Sequence, residues 1–200
     1  MKEIVINGTT RVPGGKKAAR QMRREGMVPC VLYGEKRGKD GLPEATPFAV
    51  SEKEINKVVF TPHIYLVRIN LDGQEHKTVV KEMQFHPVKD NVLHMDFYEV
   101  TEEKPIVIGV PIQTVGHAPG VRAGGRLTTM LRKLNVRAKY TDIPEKLTID
   151  VSHLELGKSI KVSELSFENM ELVTPKEVVV ITIKMTRAAR SAADAAAAQG

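Results

Sequence analysis

Between Val92 and Val100 apolar and polar side chains alternate, so that Met95 and Phe97 fall on one side of an extended chain and His94 and Asp96 on the other. That period of two predicts a half-buried strand. Upstream, Ile64 to Leu71 and Gln74 to Phe85 are two strand-like runs joined by Asp72-Gly73, a pair that takes the positive φ angles of a tight type I′ hairpin turn. His86-Pro87 closes the second arm, and Lys89-Asp90-Asn91 turns the chain into the strand that carries His94. Ile4 to Arg11 and Val28 to Tyr33 complete the pattern as two earlier strands.

Two short helices interrupt it. After Gly14-Gly15, a helical wheel at roughly 100° per residue gathers Lys16, Lys17, Arg20, Arg23 and Arg24 into one arc and Ala18, Ala19 and Met22 into another. Gly26 supplies the left-handed residue that ends the helix, and Pro29 forbids its continuation. The small apolar face suits docking on a sheet, leaving the cations outward. The second helix begins at Ser51, reads as a capping box with Glu54, and shows an apolar stripe of Ile55, Val58 and Val59 before Pro62. Gly34 to Pro47, with three Gly and two Pro among charges, reads as a long mobile loop, basic at its start.

Five or six strands and two helices in the first 98 residues predict a closed or partly closed β-barrel. Thr101 to Pro105 is a charged linker, after which the texture changes. Strands at Ile106 to Val115, Asn135 to Tyr140, Leu147 to Val151 and Val178 to Met185, with one helix at Leu127 to Leu134, predict a β-rich second domain over residues 99–185. The fold class is mainly β with short helices. The Ala-rich end, residues 186–200, has few groups able to pack and is expected to be disordered.

Charge sharpens the functional reading. The net charge of +6 lies wholly in residues 1–40, where ten Lys or Arg face four acids, while the other 160 residues hold 20 of each sign. Positive charge localised on one element is the footprint of a polyanion binder, with nucleic acid the leading partner. Aromatic residues are only 4% and Trp is absent, so base stacking would fall to a few Tyr, Phe and His rings or to Arg planes. No run is apolar enough for a signal peptide or a membrane span, which predicts a soluble cytoplasmic protein.

Other motifs fail on spacing. Leu156-Gly157-Lys158-Ser159 lacks the Gly of a phosphate-binding loop, whose place is held by Ser152. Gly116-His117-Ala118-Pro119-Gly120 and Gly124-Gly125 are loop glycines without dinucleotide spacing. His94, Asp96 and the nearby His86 could form part of a hydrolytic site, but the single Cys30 lies in an apolar strand and no nucleophile accompanies them. A metal site would need more ligands. No cofactor and no small-molecule substrate are expected. Against RNA the pair has a task, since Asp accepts from a base N–H or a ribose hydroxyl and His donates or stacks.

The order and spacing of Arg11, Gly15 to Arg20, Pro29 to Gly34, Gln84-Phe85-His86-Pro87 and His94-Met95-Asp96-Phe97 resemble the twenty-fifth protein of the bacterial large-subunit ribosomal series, a 5S rRNA-binding family. The rest of the chain is similar to the second domain of that family's two-domain CTC, or general stress protein, form. The segments that carry this are Val110-Pro111, Gly120 to Leu127, Asp142-Ile143-Pro144 and Leu154 to Leu165. The resemblance implies a barrel over residues 1–98 that binds the loop E region of 5S rRNA, and a structural rather than enzymatic role among rRNA and neighbouring ribosomal proteins. The family's RNA-contact positions fall on Arg11, Lys16, Arg20, Arg23, Tyr33, Lys81, Gln84, His86, His94 and Asp96, and the wheel adds Lys17. Lys17 stands where many relatives have Gly, and Lys81 where some have Gln; both departures add charge. A stress-linked RNA-binding protein that joins the ribosome conditionally, and a small β-barrel hydrolase, are the alternatives.

Overall fold

The computed structural model describes residues 1–37, 43–61 and 63–187. The chain divides into two compact units, residues 1–104 with 139–141, and residues 105–138 with the chain from 142 onward.

The first unit runs β1 (Lys2–Thr10), α1 (Lys16–Arg24), β2 (Met27–Arg37), β3 (Pro43–Ser51), α2 (Glu52–Val59), β4 (Tyr65–Leu71), β5 (Gln74–Phe85) and β6 (Val92–Glu99). Its six strands close into a barrel in the order β1-β3-β2-β6-β5-β4. The β1–β4 and β2–β6 pairs are parallel and the others antiparallel. Alternation fills the interior with Ile6, Phe48, Ile69, Met95 and Phe97, each fully buried, and Phe48 and Phe97 meet at 5.7 Å between ring centroids. Ile55 and Val58 of α2 join the same core, as their spacing predicts.

The Asp72-Gly73 turn forms with φ of 50° and 87°, and Leu71 faces Gln74 across it. Other expectations need correction. The stretch 34–47 is not one loop: β2 continues to Arg37, β3 starts at Pro43, and Leu32 faces Thr46 across the pair. Pro47 fits in a strand because β1 has ended beside it, with the Arg11 N–H donating to its carbonyl at 3.1 Å. The expected mobility falls on residues 38–42, outside the described residues. The capping box is also absent. Ser51 makes no side-chain cap, and the Glu54 carboxylate instead accepts from the Asn7 N–H of β1 at 3.3 Å.

The second unit comprises β7 (Ile106–Val115), α3 (Pro119–Arg122), β8 (Arg126–Thr129), β9 (Lys133–Ala138), β10 (Leu147–Asp150), β11 (Ser159–Lys161), β12 (Glu171–Leu172) and β13 (Val179–Lys184). It holds two sheets, ordered β10-β7-β9-β12 and β11-β13-β8. The helix expected at Leu127 to Leu134 does not form. Thr128 and Thr129 favour extended backbone, and Leu127 is drawn into register with buried Ile183 of β13. The helical turn lies earlier, at Pro119–Arg122. Thr186, placed by the sequence in a disordered tail, donates to the Gly124 carbonyl at 2.6 Å, and residues 188–200 lie outside the described residues.

Candidate nucleic-acid interface

Because Met95 and Phe97 point into the barrel, His94 and Asp96 must point out. Their side chains are 26% and 29% exposed, with His94 Nδ1 2.9 Å from Asp96 Oδ1. An ionised Asp96 can only accept, so it fixes the proton on Nδ1 and leaves Nε2 of the neutral ring as an acceptor toward solvent. The pair therefore presents a rigid set of hydrogen-bonding atoms.

The neighbouring strands bring more polar groups to this face. On β5, Gln84 is opposite His94 and Glu82 opposite Asp96, with a bulge between Val80 and Glu82. Lys81 is the extra residue of that bulge and is exposed. On β2, Val31 lies beside Asp96 and Tyr33 beside Tyr98, the two rings packed edge to face at 5.7 Å. Burial raises the Tyr33 phenol above its ordinary pKa, and the Asp96 and Glu82 carboxylates add to the effect, which sets the phenol in the field of Asp96. Tyr98 carried no mark in the sequence reading, although the alternation 94, 96, 98 points to it.

His86 sits at the end of β5. Its Nδ1 accepts from the backbone N–H groups of Val88 and Lys89, both at 3.2 Å, so the ring braces the 86–91 turn and keeps only Nε2 for a partner. Arg11, just past β1, donates through Nε to the Phe48 carbonyl at 3.3 Å. It is separated from β6 by β3 and β2, about 14 Å at the usual strand spacing. The candidate residues form a broad face rather than a pocket.

The helix α1 packs against β2. Gly26, at φ 75°, ends it as its position predicts. No residue of α1 is buried, and Ala18, assigned to the docking face, is exposed. Arg23 differs from expectation more sharply. It is half-buried, and its Nε donates to the Leu93 carbonyl of β6 at 3.0 Å. The docking face is thus Ala19, Met22 and Arg23, rotated from the apolar arc because a guanidinium reaching a strand carbonyl anchors the helix better than Ala18 can. Arg23 ties α1 to the strand of the His–Asp pair and is not a freely outward cation.

Among the described residues Lys16, Lys17, Arg20 and Arg24 are exposed and enter no ion pair. Some cations elsewhere in this unit are neutralised, Arg68 by Glu3 and Glu75 and Lys77 by Glu102. Lys16 and Lys17 also occupy the first turn, where no acid balances the positive end of the helix dipole. Each such cation disfavours the fold by roughly 0.3–1 kcal/mol. An anion laid on this end of α1 would relieve both conflicts.

A second His–carboxylate pair escaped sequence reading. His76 Nδ1 lies 2.9 Å from Glu99 Oε1, where Gly34 makes room, since a Cβ there would approach the Glu99 Cβ to 2.8 Å. The cross-strand register that joins them is invisible without the fold. Cys30 lies on the opposite face from His94, fully buried, and burial pushes its thiol up to about 12. It cannot serve the pair as a nucleophile.

The whole chain is similar to proteins called large ribosomal subunit protein bL25. Identity is 53% over 193 residues with the protein of Phocaeicola vulgatus, covering 96% of this chain and 98% of that one. The chain belongs to the ribosomal L25p family. The model described as the Ribosomal L25p family matches residues 6–97, and that described as Ribosomal protein TL5, C-terminal domain, matches residues 105–187. The bL25 proteins of Bacteroides thetaiotaomicron (49% identity, 98% of this chain and 99% of that one) and Porphyromonas gingivalis (48%, 96% and 98%) agree over nearly the full length. The L25p match contains all eleven candidate residues from Arg11 to Asp96. These relatives are ribosomal structural proteins and not enzymes, which removes the hydrolase alternative. Among the described residues no helix is long and apolar enough to cross a membrane.

Proposed function

We propose that the chain is a structural constituent of the large ribosomal subunit, acting in the cytoplasm, and that it binds 5S rRNA at the loop E region through residues 1–98. The observation that carries this reading is the set of acid-free cations on α1 beside the fixed His94–Asp96 pair. Lys16, Lys17, Arg20 and Arg11 supply phosphate contacts, which position the protein. Gln84, His94, Asp96 and the Nε2 of His86 supply directed donors and acceptors for base edges and 2′-hydroxyl groups, and Tyr33 offers a half-buried ring packed on Tyr98. Regular A-form RNA hides its major-groove edges, so a distorted internal loop suits a short helix flanked by a polar sheet face. Arg23 contributes mainly by holding α1 to β6, and Lys81 and Lys17 add charge at the margins.

The salt dependence of 5S rRNA binding by the full chain tests this. Arg20→Ala is expected to reduce the slope of log K against log salt by about one unit, the signature of one lost phosphate contact. Glu25→Ala should leave the slope unchanged, since its carboxylate accepts from Gln21 on the helix itself. An unaltered slope for Arg20→Ala would show the basic face to be merely solvated.

A further inference from the structure

At one end of the sheet β11-β13-β8, Lys184 of β13 lies directly opposite Arg126 of β8. Like charges in that position repel across a strand pair and destabilise it. Lys158, just before β11, lies opposite Ile183, the residue before Lys184, its carbonyl accepting from the Ile183 N–H at 3.0 Å. Two cations thus face each other across the strand pair, and Lys158 adds a third exposed cation in the turn that enters β11. Arg187 follows β13 beside the bond from Thr186 to Gly124, and Arg122 lies on α3, which packs against β8.

All five cations are exposed, and among the described residues none enters an ion pair. The three strands contain no acid at all, and Glu177, Glu164 and Glu155 lie in the segments that flank β13 and β11. In the other sheet of this unit, by contrast, Arg137 is paired with Glu171 at 3.2 Å. On the face of Arg126 and Lys184 the sheet continues into hydroxyl groups, with Thr128 opposite Thr182 and Thr182 opposite Ser159. Lys, Arg, Ser and Thr side chains are the usual contacts to phosphate and sugar. No aromatic ring occurs on the three strands, so the face has no means of stacking unpaired bases.

We propose that this edge of the second unit is a surface for the phosphate backbone of double-stranded RNA, read without regard to sequence. Five exposed cations on the ends and flanks of one small sheet exceed what one small anion can occupy and match a run of phosphates. The repulsion between Arg126 and Lys184 is relieved when a phosphate lies between them. None of these residues belongs to the proposed 5S rRNA site of the first unit, and the surface stands or falls independently of it.

The test uses the full chain and a fully paired RNA duplex of about two helical turns, without internal loops, titrated over a series of salt concentrations. The double variant Arg126→Gln/Lys184→Gln is expected to lower the slope of log K against log salt by about two units, and Lys158→Gln by about one. Arg137→Gln, whose charge already has a partner, should leave the slope unchanged. Circular dichroism and thermal melting serve as the folding controls for these exposed substitutions. An unchanged slope for the double variant overturns the proposal. So does an equal loss from Arg137→Gln, which would reduce the effect to net charge. Because the duplex contains no internal loop, the outcome does not depend on 5S rRNA recognition.

Discussion

Asp96→Ala is expected to weaken 5S rRNA binding five- to more than a hundredfold while leaving affinity for an unrelated duplex nearly unchanged. Coulomb's law alone gives the opposite sign, because a carboxylate facing a phosphate backbone repels it and its removal should tighten binding. The expected loss follows from directed contact. Asp96 carries an oxygen free to accept from RNA while Oδ1 holds His94 Nδ1 at 2.9 Å. Deleting it strands a donor on the RNA and frees the His94 ring to turn, costing on the order of 1–3 kcal/mol. His94→Ala should cost a similar amount. Since the two side chains act as a unit, the double variant should lose much less than the sum of the single losses. Equal or tighter 5S rRNA binding by Asp96→Ala, in a protein whose circular dichroism is unchanged, would remove the pair from the recognition surface.

The largest loss of stability is expected one residue further along the same strand. Phe97 is fully buried and packs on Phe48 at a ring-centroid distance of 5.7 Å, with Met95 and Leu32 in the same core. Phe97→Ala removes that contact and leaves a cavity in a closed barrel that cannot easily collapse, at a cost of about 3–5 kcal/mol. For a unit of this size the melting temperature should fall by at least roughly 12 °C. Phe97→Leu, which keeps most of the volume, should lose much less. A Phe97→Ala protein that melts within a few degrees of the wild type would mean that β6 is not braced by its inner face. The two predictions separate the faces of one strand: an outward change alters binding without melting, and an inward change alters melting first.

Local chemistry made much of this fold legible. The Asp72-Gly73 turn, the alternation through β6 and the glycine that ends α1 each depend on a few adjacent residues, and each forms where its pattern points. What escaped depends on partners distant in sequence. Glu54 abandons its capping box because the Asn7 N–H of β1 comes within 3.3 Å, and Arg23 turns inward because the Leu93 carbonyl lies 70 positions away in the chain but beside it in space. Leu127, Thr128 and Thr129 become a strand only because β13 is there to pair with them. Prolines 43 and 47 suggested a loop, yet both are accommodated in β3. The site shows the same division. Exposure of Lys16, Lys17 and Arg20 and the shared face of His94 and Asp96 follow from periodicity, whereas Tyr98 beside Tyr33 and the His76–Glu99 pair require the register of the barrel.

If the barrel alone recognises 5S rRNA, the chain up to its last strand should suffice, and all six strands end by Glu99. The most direct measurement compares residues 1–104, residues 105–200 and the full chain for 5S rRNA affinity, in excess loop-free duplex RNA that absorbs backbone binding. Residues 1–104 are expected to bind within about 0.7 kcal/mol, or threefold, of the full chain. Residues 105–200 are expected to show no specific binding. A folded 1–104 fragment that binds only weakly, or specific binding by the second unit alone, would contradict recognition by the barrel alone.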